Sequence, residues 1–269
     1  MSKITIDQSN AQHWKVTINN PPINTVDDLM YDEFFDLYEA AEQAGTVKVI
    51  TFDSANPDYF LAHYGVGESA SRFGKPRWID TALRMANSPI VSIATIRGRA
   101  RGGGSEFALA CDLRFASRER AVFGQPEVGF GLIPGGGALQ RLPLLTGRSR
   151  ALEIVLGGDD FDADTAERYG WINRALPDAE LDGFVADFVS RILSFDSQAL
   201  NLIKSIVNET GLPSEEQLRS TQAAFSETLR WPEAHQRMAT SRERGLGQVG
   251  AFERDLGAAV AALTTEQKG

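Results

Sequence analysis

The chain has 269 residues, enough for one large domain or for a main domain with a smaller appendage. Hydrophobic residues make up 42% and charged residues 23%, which supplies a buried core and argues against disorder. The net charge of −9 disfavours partners bound through phosphate backbones, RNA included.

In chain order, residues 3–7 (KITID) and 14–18 (WKVTI) read as short strands. INNPPINTVDD breaks the pattern with two prolines. Residues 26–44 read as a helix, with Leu29, Phe34, Leu37 and Tyr38 near one face and Gly45 as its stop. VKVITF (47–52) reads as a strand and SANPD as a loop. Residues 69–87 read as helical, interrupted by Gly74 and Pro76. PIVSIATI (89–96) is a buried-strand pattern, and GRARGGGSEFALAC (98–111) a glycine loop entering a helix. LRFA (113–116) is a short strand, SRER a turn and AVFG (121–124) an extended piece. PGGGALQRLPLL (134–145) is a second glycine-rich helix start, and RSRALEIVLGG (148–158) a further helix. From Asp178 the chain is mostly helical. The first two-thirds therefore mixes strands and helices, the last third is helical, and the boundary falls near Ser194.

The single cysteine, Cys111, lies in the apolar run FALACDL and reads as a small buried hydrophobe; one cysteine makes no internal disulfide. His13, His63 and His235 are far apart and no HExxH pattern occurs, so no metal site is expected. The N-terminal segment lacks a long apolar stretch, and no window approaches about 18 consecutive apolar residues. The expectation is a soluble cytoplasmic protein.

Three stretches carry the chemistry. RGGGSEF (101–107) leads into an apolar helix: consecutive glycines let another molecule approach the backbone, and unpaired N–H groups at a helix start favour negative charge. The run suits a phosphate or a developing oxyanion, but it has neither P-loop nor nucleophile-elbow spacing. FGQPEVGFGLIPGGGALQRLP (123–143) places Glu127 between extended pieces. Glu106 sits in the first turn of the preceding helix, and the spacing permits the two carboxyls to converge. Two carboxyls in one pocket have their pKa values pushed apart, leaving one as proton donor and the other as base. DYFLAHYGVGE (58–68) follows a strand and a proline turn and offers a second backbone N–H; His63 within it reads more simply as structural.

Together, RGGGSEFALACDLRFA, FGQPEVGFGLIPGGGALQRLP and the later GRSRALEIVLGG…AERYGWINRALP resemble the enoyl-CoA hydratase/isomerase (crotonase) family over roughly residues 4–195. The resemblance implies an α/β fold, a spiral of ββα units over 1–194 holding an acyl-CoA site. It also implies a helical region over 195–269 that mediates trimers, often paired into hexamers. It places the oxyanion-hole amides at Ala62 and Gly103, the catalytic glutamates at Glu106 and Glu127, and substrate contacts at Ala62, His63, Tyr64, Gly65, Gly103 and Gly135. Gly135 matches a glycine that starts the helix beside the second glutamate. The implied activity is hydration of the 2,3 double bond of a 2-enoyl-CoA, a step of fatty acid metabolism. No separate cofactor is implied, CoA being part of the substrate.

The chain departs from the family pattern in two loops, and its C-terminal segment RGLGQVGAFERDLGAAVAAL resembles the family only loosely. Where many members carry Ala-Gly-Ala-Asp, it has Ala62-His63-Tyr64-Gly65. Where many carry a basic CoA-binding residue in the early loop, NNPPINTV has none, leaving Arg72, Lys75, Arg97, Arg99 and Arg101 as candidate phosphate partners. The rival readings are an enoyl-CoA isomerase, which can run on the later glutamate alone, and a non-catalytic crotonase-like binding or assembly protein. The presence of both glutamates favours hydration.

Overall fold

The computed structural model describes residues 2–67 and 69–265. Strands β1 (Ile4–Asn10) and β2 (His13–Ile18) precede helix α1 (Asp28–Ala44). Strand β3 (Val49–Ser54), the short β4 (Tyr59–Leu61) and α2 (Trp78–Asn87) make one ββα turn; β5 (Val91–Ile96), β6 (Arg99–Arg101) and α3 (Gly103–Ala110) make the next. A third begins with β7 (Leu113–Ser117) and β8 (Val122–Gly124) and continues through a 3₁₀ turn (Pro126–Phe130), α4 (Ala138–Thr146) and α5 (Arg148–Gly157). After β9 (Asp160–Asp162), α6 (Ala163–Tyr169) and β10 (Arg174–Leu176) come α7 (Asp178–Leu193), α8 (Ser197–Gly211), α9 (Glu215–Thr228), α10 (Pro232–Glu243), α11 (Ala251–Arg254) and α12 (Leu256–Thr265).

In each turn the first strand enters a large sheet of order β1-β2-β3-β5-β7-β10, and the second enters a small sheet of order β4-β6-β8-β9. Every neighbour pair is parallel except β1–β2 and β8–β9. This alternation generates the expected spiral. β3 and β5 are apolar because helices cover both faces of the large sheet. On one face Phe107 of α3 stacks on Phe34 (ring centroids 4.5 Å apart) and meets Phe52 edge-on at 5.1 Å. On the other, α7 packs Leu181, Val185, Val189 and Ile192 against Val49, Ile93 and Phe115. Among the described residues, no helix is long and apolar enough to cross a membrane.

Helix α1 starts where Asp27 accepts from the Met30 N–H and stops at Gly45 in the left-handed conformation. The helix expected from residue 69 begins only at Trp78. Asp32 accepts from Ser71 Oγ and the Arg72 N–H, drawing that segment into a loop, and Pro76 disfavours helix at the residue before it. The second glycine-rich helix likewise begins at Ala138, after the glycines. The strands absent from the sequence reading, β4, β6, β9 and β10, are three residues each. That length is too short to display a period.

The small sheet and α3 meet at Gly104, where a Cβ would collide with the Leu61 carbonyl oxygen and lie 2.6 Å from Leu61 Cβ. Gly104→Ala is expected to destabilise the fold by about 1–3 kcal/mol, as overpacked interiors do. Urea denaturation measures this; an unchanged midpoint would mean that the contact relaxes at no cost.

Candidate active site

A cavity of about 440 Å³ opens at the carboxyl ends of β4, β6 and β8, where parallel strands generally present ligand sites. The segment after β4 brings His63 and Tyr64, that after β6 brings Gly102 and Gly103, and that after β8 brings Pro126 and Glu127. Glu106, one turn into α3, completes the floor. The cavity thus gathers His63, Tyr64, Gly103, Glu106, Glu127 and Gly135 from the residues singled out in the sequence.

Two of those residues are elsewhere. The Ala62 N–H donates to the Asn24 carbonyl at 3.0 Å, and the Gly65 N–H donates to the Val26 carbonyl at 2.8 Å. Neither residue lines the cavity. The nitrogen that stands beside Gly103 is instead that of Tyr64, 3.1 Å from where a Gly103 Cβ would lie. The cause is the pairing of this loop with residues 24–26, which engages the Ala62 and Gly65 amides. Buried Asn24 braces the arrangement, its amide donating to Ser54 Oγ at 2.8 Å and its carbonyl oxygen accepting from the Asn20 N–H at 2.7 Å. The early loop that lacks a basic residue therefore holds the oxyanion loop in place. The Gly103 N–H stands at the first position of α3, where no intrahelical acceptor exists.

Glu106 is buried, with one carboxyl oxygen accepting from the Gly136 N–H at 2.7 Å and the Ala138 N–H at 3.1 Å. The start of α4 therefore grips Glu106, whereas the sequence placed Gly135 beside Glu127. Gly135 itself faces Phe225, 2.6 Å from where its Cβ would be. Burial raises the Glu106 pKa, and the Ala138 and Gly136 amides, with Arg141 behind them, pull it back to about 7. Glu127 is partly exposed to the cavity but shielded from bulk water. Burial first, and then the charge of Glu106, hold it well above the usual carboxylate range. Gln125 Nε2 donates to it at 3.3 Å. Gly102 leaves the room these groups need, since a Cβ there would sit 3.0 Å from Glu127 Oε1 and 3.6 Å from His63 Cβ.

Phe130, Leu132, Phe225, Leu229, Met238 and Leu246 give the cavity an apolar wall. The last four come from the C-terminal third and carried no signal in the sequence. Nor did Trp78, whose Nε1–H donates to the Gly136 carbonyl at 2.8 Å and fixes the loop that grips Glu106. Of the candidate phosphate partners, Lys75 lines the cavity. The guanidinium of Arg72 pairs with Asp36, that of Arg97 with Asp178 and Asp182, and that of Arg99 with the Arg254 carbonyl. Arg101 is buried and pairs with Asp160. Among the described residues, no group of three or more His, Cys, Asp or Glu converges in a way that could hold a metal ion.

Residues 8–245 match the family model described as enoyl-CoA hydratase/isomerase. The structure of a Streptomyces avermitilis protein assigned as an enoyl-CoA hydratase superposes with a TM-score of 0.90 at 41% identity, covering 97% of this chain and 96% of that one. The short-chain-enoyl-CoA hydratase of Clostridium acetobutylicum is 31% identical over 72% of this chain and 76% of its own. The crotonyl-CoA hydratase of Syntrophomonas wolfei is 44% identical over 44% of this chain. The matched stretch spans 45% of that protein and 31% of the fatty acid oxidation complex subunit alpha of Vibrio vulnificus. With its ββα spiral and this match along most of its length, the chain belongs to the enoyl-CoA hydratase/isomerase family.

Proposed function

We propose that the chain is an enoyl-CoA hydratase, adding water across the 2,3 double bond of a 2-enoyl-CoA. One observation carries the reading: two carboxyls, Glu106 buried and Glu127 half-buried, both raised above the usual carboxylate range, share a cavity with Tyr64 and Gly103. Attack of water at C3 drives negative charge onto the thioester oxygen, and fixed amide donors stabilise that enolate, each contributing about 10²–10³ in rate. Glu106, half ionised near neutral pH, holds the water and takes its proton as the hydroxyl oxygen bonds to C3. Glu127, whose pKa burial and the charge of Glu106 raise, delivers a proton to C2. The CoA portion supplies remote binding energy that aligns the acyl group, and Lys75 at the cavity is suited to its phosphates. No cofactor is required beyond the CoA carried by the substrate. The relatives named for enoyl-CoA hydration support the same reaction.

The chain is further inferred to be a cytoplasmic homotrimer or pair of trimers. Helix α8 has no buried residue, and its Leu202, Ile203, Ile206 and Val207 are each more than half exposed. An apolar stripe of this kind on a helix marks an association surface. Lys204 fixes the opposite side of the helix through the Met85 and Ile90 carbonyls and Asp112.

Glu127→Gln is expected to abolish loss of the conjugated-double-bond absorbance with a panel of 2-enoyl-CoA thioesters while leaving the circular dichroism spectrum intact. Glu106→Gln is expected to cripple hydration but leave double-bond migration measurable, and equal loss of both reactions would refute that division of roles. For pH dependence, Glu106 acts as its carboxylate, so kcat/KM rises as pH climbs through about 7. The rate falls again only where Glu127, with its raised pKa, loses its proton. A rate independent of pH down to 5 would remove Glu106 as the base. Ile203→Glu is expected to convert the assembly to monomers by light scattering; an unchanged mass would place the interface elsewhere.

A further inference from the structure

His63 departs from the small residue common in the family at this point of the oxyanion loop, and the structure gives it a partner 190 residues away. Its Nε2 lies 2.7 Å from Glu253 Oε1 in α11, and its Nδ1 lies 3.3 Å from the Tyr64 carbonyl oxygen. Both ring nitrogens face acceptors, which a doubly protonated ring satisfies by donating from each. Glu253 is fully buried, and the same oxygen accepts from the Gly247 N–H at 2.6 Å. Burial works to raise its pKa, but the His63 charge and hydrogen bond, the Gly247 amide and Arg101 outweigh it, and the carboxyl stays below its ordinary value.

The backbone of the same residue reaches the other half of the site. Arg101, two positions before Gly103, donates from Nη1 to the Glu253 carbonyl at 2.6 Å and from Nη2 to the Arg254 carbonyl at 3.0 Å. Asp160 holds the remaining edge of this guanidinium. Glu253 therefore touches both segments that carry the two amides: through its carboxylate, the residue before Tyr64; through its carbonyl, Arg101 at the end of the strand that leads into Gly103.

We propose that Glu253 and His63 act together as positioning residues that set the spacing between the Tyr64 and Gly103 amides, so that the C-terminal segment completes the oxyanion hole. The proposal rests on the hydratase reading and adds to it an element remote from the acid–base pair. Neither side chain exchanges a proton with the substrate. Their contribution is geometric and is felt most when the thioester oxygen becomes an oxyanion, because hydrogen bonds to that charge depend steeply on where the donors stand.

The test compares Glu253→Ala, which removes the carboxylate from His63 but leaves the backbone carbonyl to Arg101, His63→Asn and the double variant with the unaltered protein. His63→Asn serves should Glu253→Ala fail to fold. The expected result is a kcat lower by tenfold or more in each variant with KM within about twofold, and a double variant no slower than the worse single one, as for residues acting as a unit. A second readout is the infrared stretch of a carbonyl-labelled saturated acyl-CoA, which binds without being hydrated. Its shift to lower frequency on binding is expected to shrink in every variant while its Kd stays within about threefold. Unchanged kcat and carbonyl shift in the folded variants, or losses that multiply in the double variant, would overturn the tether and leave the hydratase reading standing. An unaltered protein that hydrates no 2-enoyl-CoA would overturn the hydratase reading and the tether with it.

Discussion

The site depends on two backbone segments meeting with no side chain between them. Gly104 lies so close to Leu61, and Gly103 to Tyr64, that a methyl group at either position would push α3 away from the end of β4. That approach places one amide at the start of a helix beside another in a loop, and it orients the first turn of α3 so that Glu106 points into the cavity. The ββα spiral makes the approach possible, because successive second strands lie side by side in the small sheet and end on the same edge. The cavity is thus a product of strand register before it is a product of side-chain chemistry.

The acid–base pair follows from how that cavity is closed. Burial raises both carboxyls, but only Glu106 receives the amides at the start of α4, with Arg141 behind them, and these pull its pKa back down. Trp78 holds the Gly136 carbonyl while the adjoining amides hold Glu106, so α2 and α4 jointly fix the carboxylate. Gly136 is constrained on the same account: a Cβ there would crowd Trp78 Nε1 and the Glu106 carboxyl.

Much of this was legible in the sequence because it is local. The glycine run before α3, the two glutamates and the strands of the large sheet other than β10 each declare themselves within a dozen residues, and the family resemblance orders them. What was not legible is relational. Whether Ala62 or Tyr64 offers its amide is decided by pairing with residues 24–26, a contact across about forty residues that leaves no mark in LAHYG. The late start of α2 reflects Asp32 drawing Ser71 and Arg72 into a loop, again a partner outside the segment. Glu253 carries no motif, and only the fold brings it to His63.

The apolar wall of the cavity is furnished largely by α9, α10 and the stretch after them, while the glutamates and amides come from the first 140 residues. In the proposed hydratase, recognition of the acyl tail and execution of the bond-making step are therefore written in different thirds of the chain. Leu229, Met238 and Leu246 line the cavity away from the amides that grip Glu106, whereas Phe225 packs against Gly135 beside them. Such an arrangement lets selection retune which chains are accepted while the reaction itself is inherited unchanged, and it marks the first three positions as the ones to vary when a different acyl group is wanted.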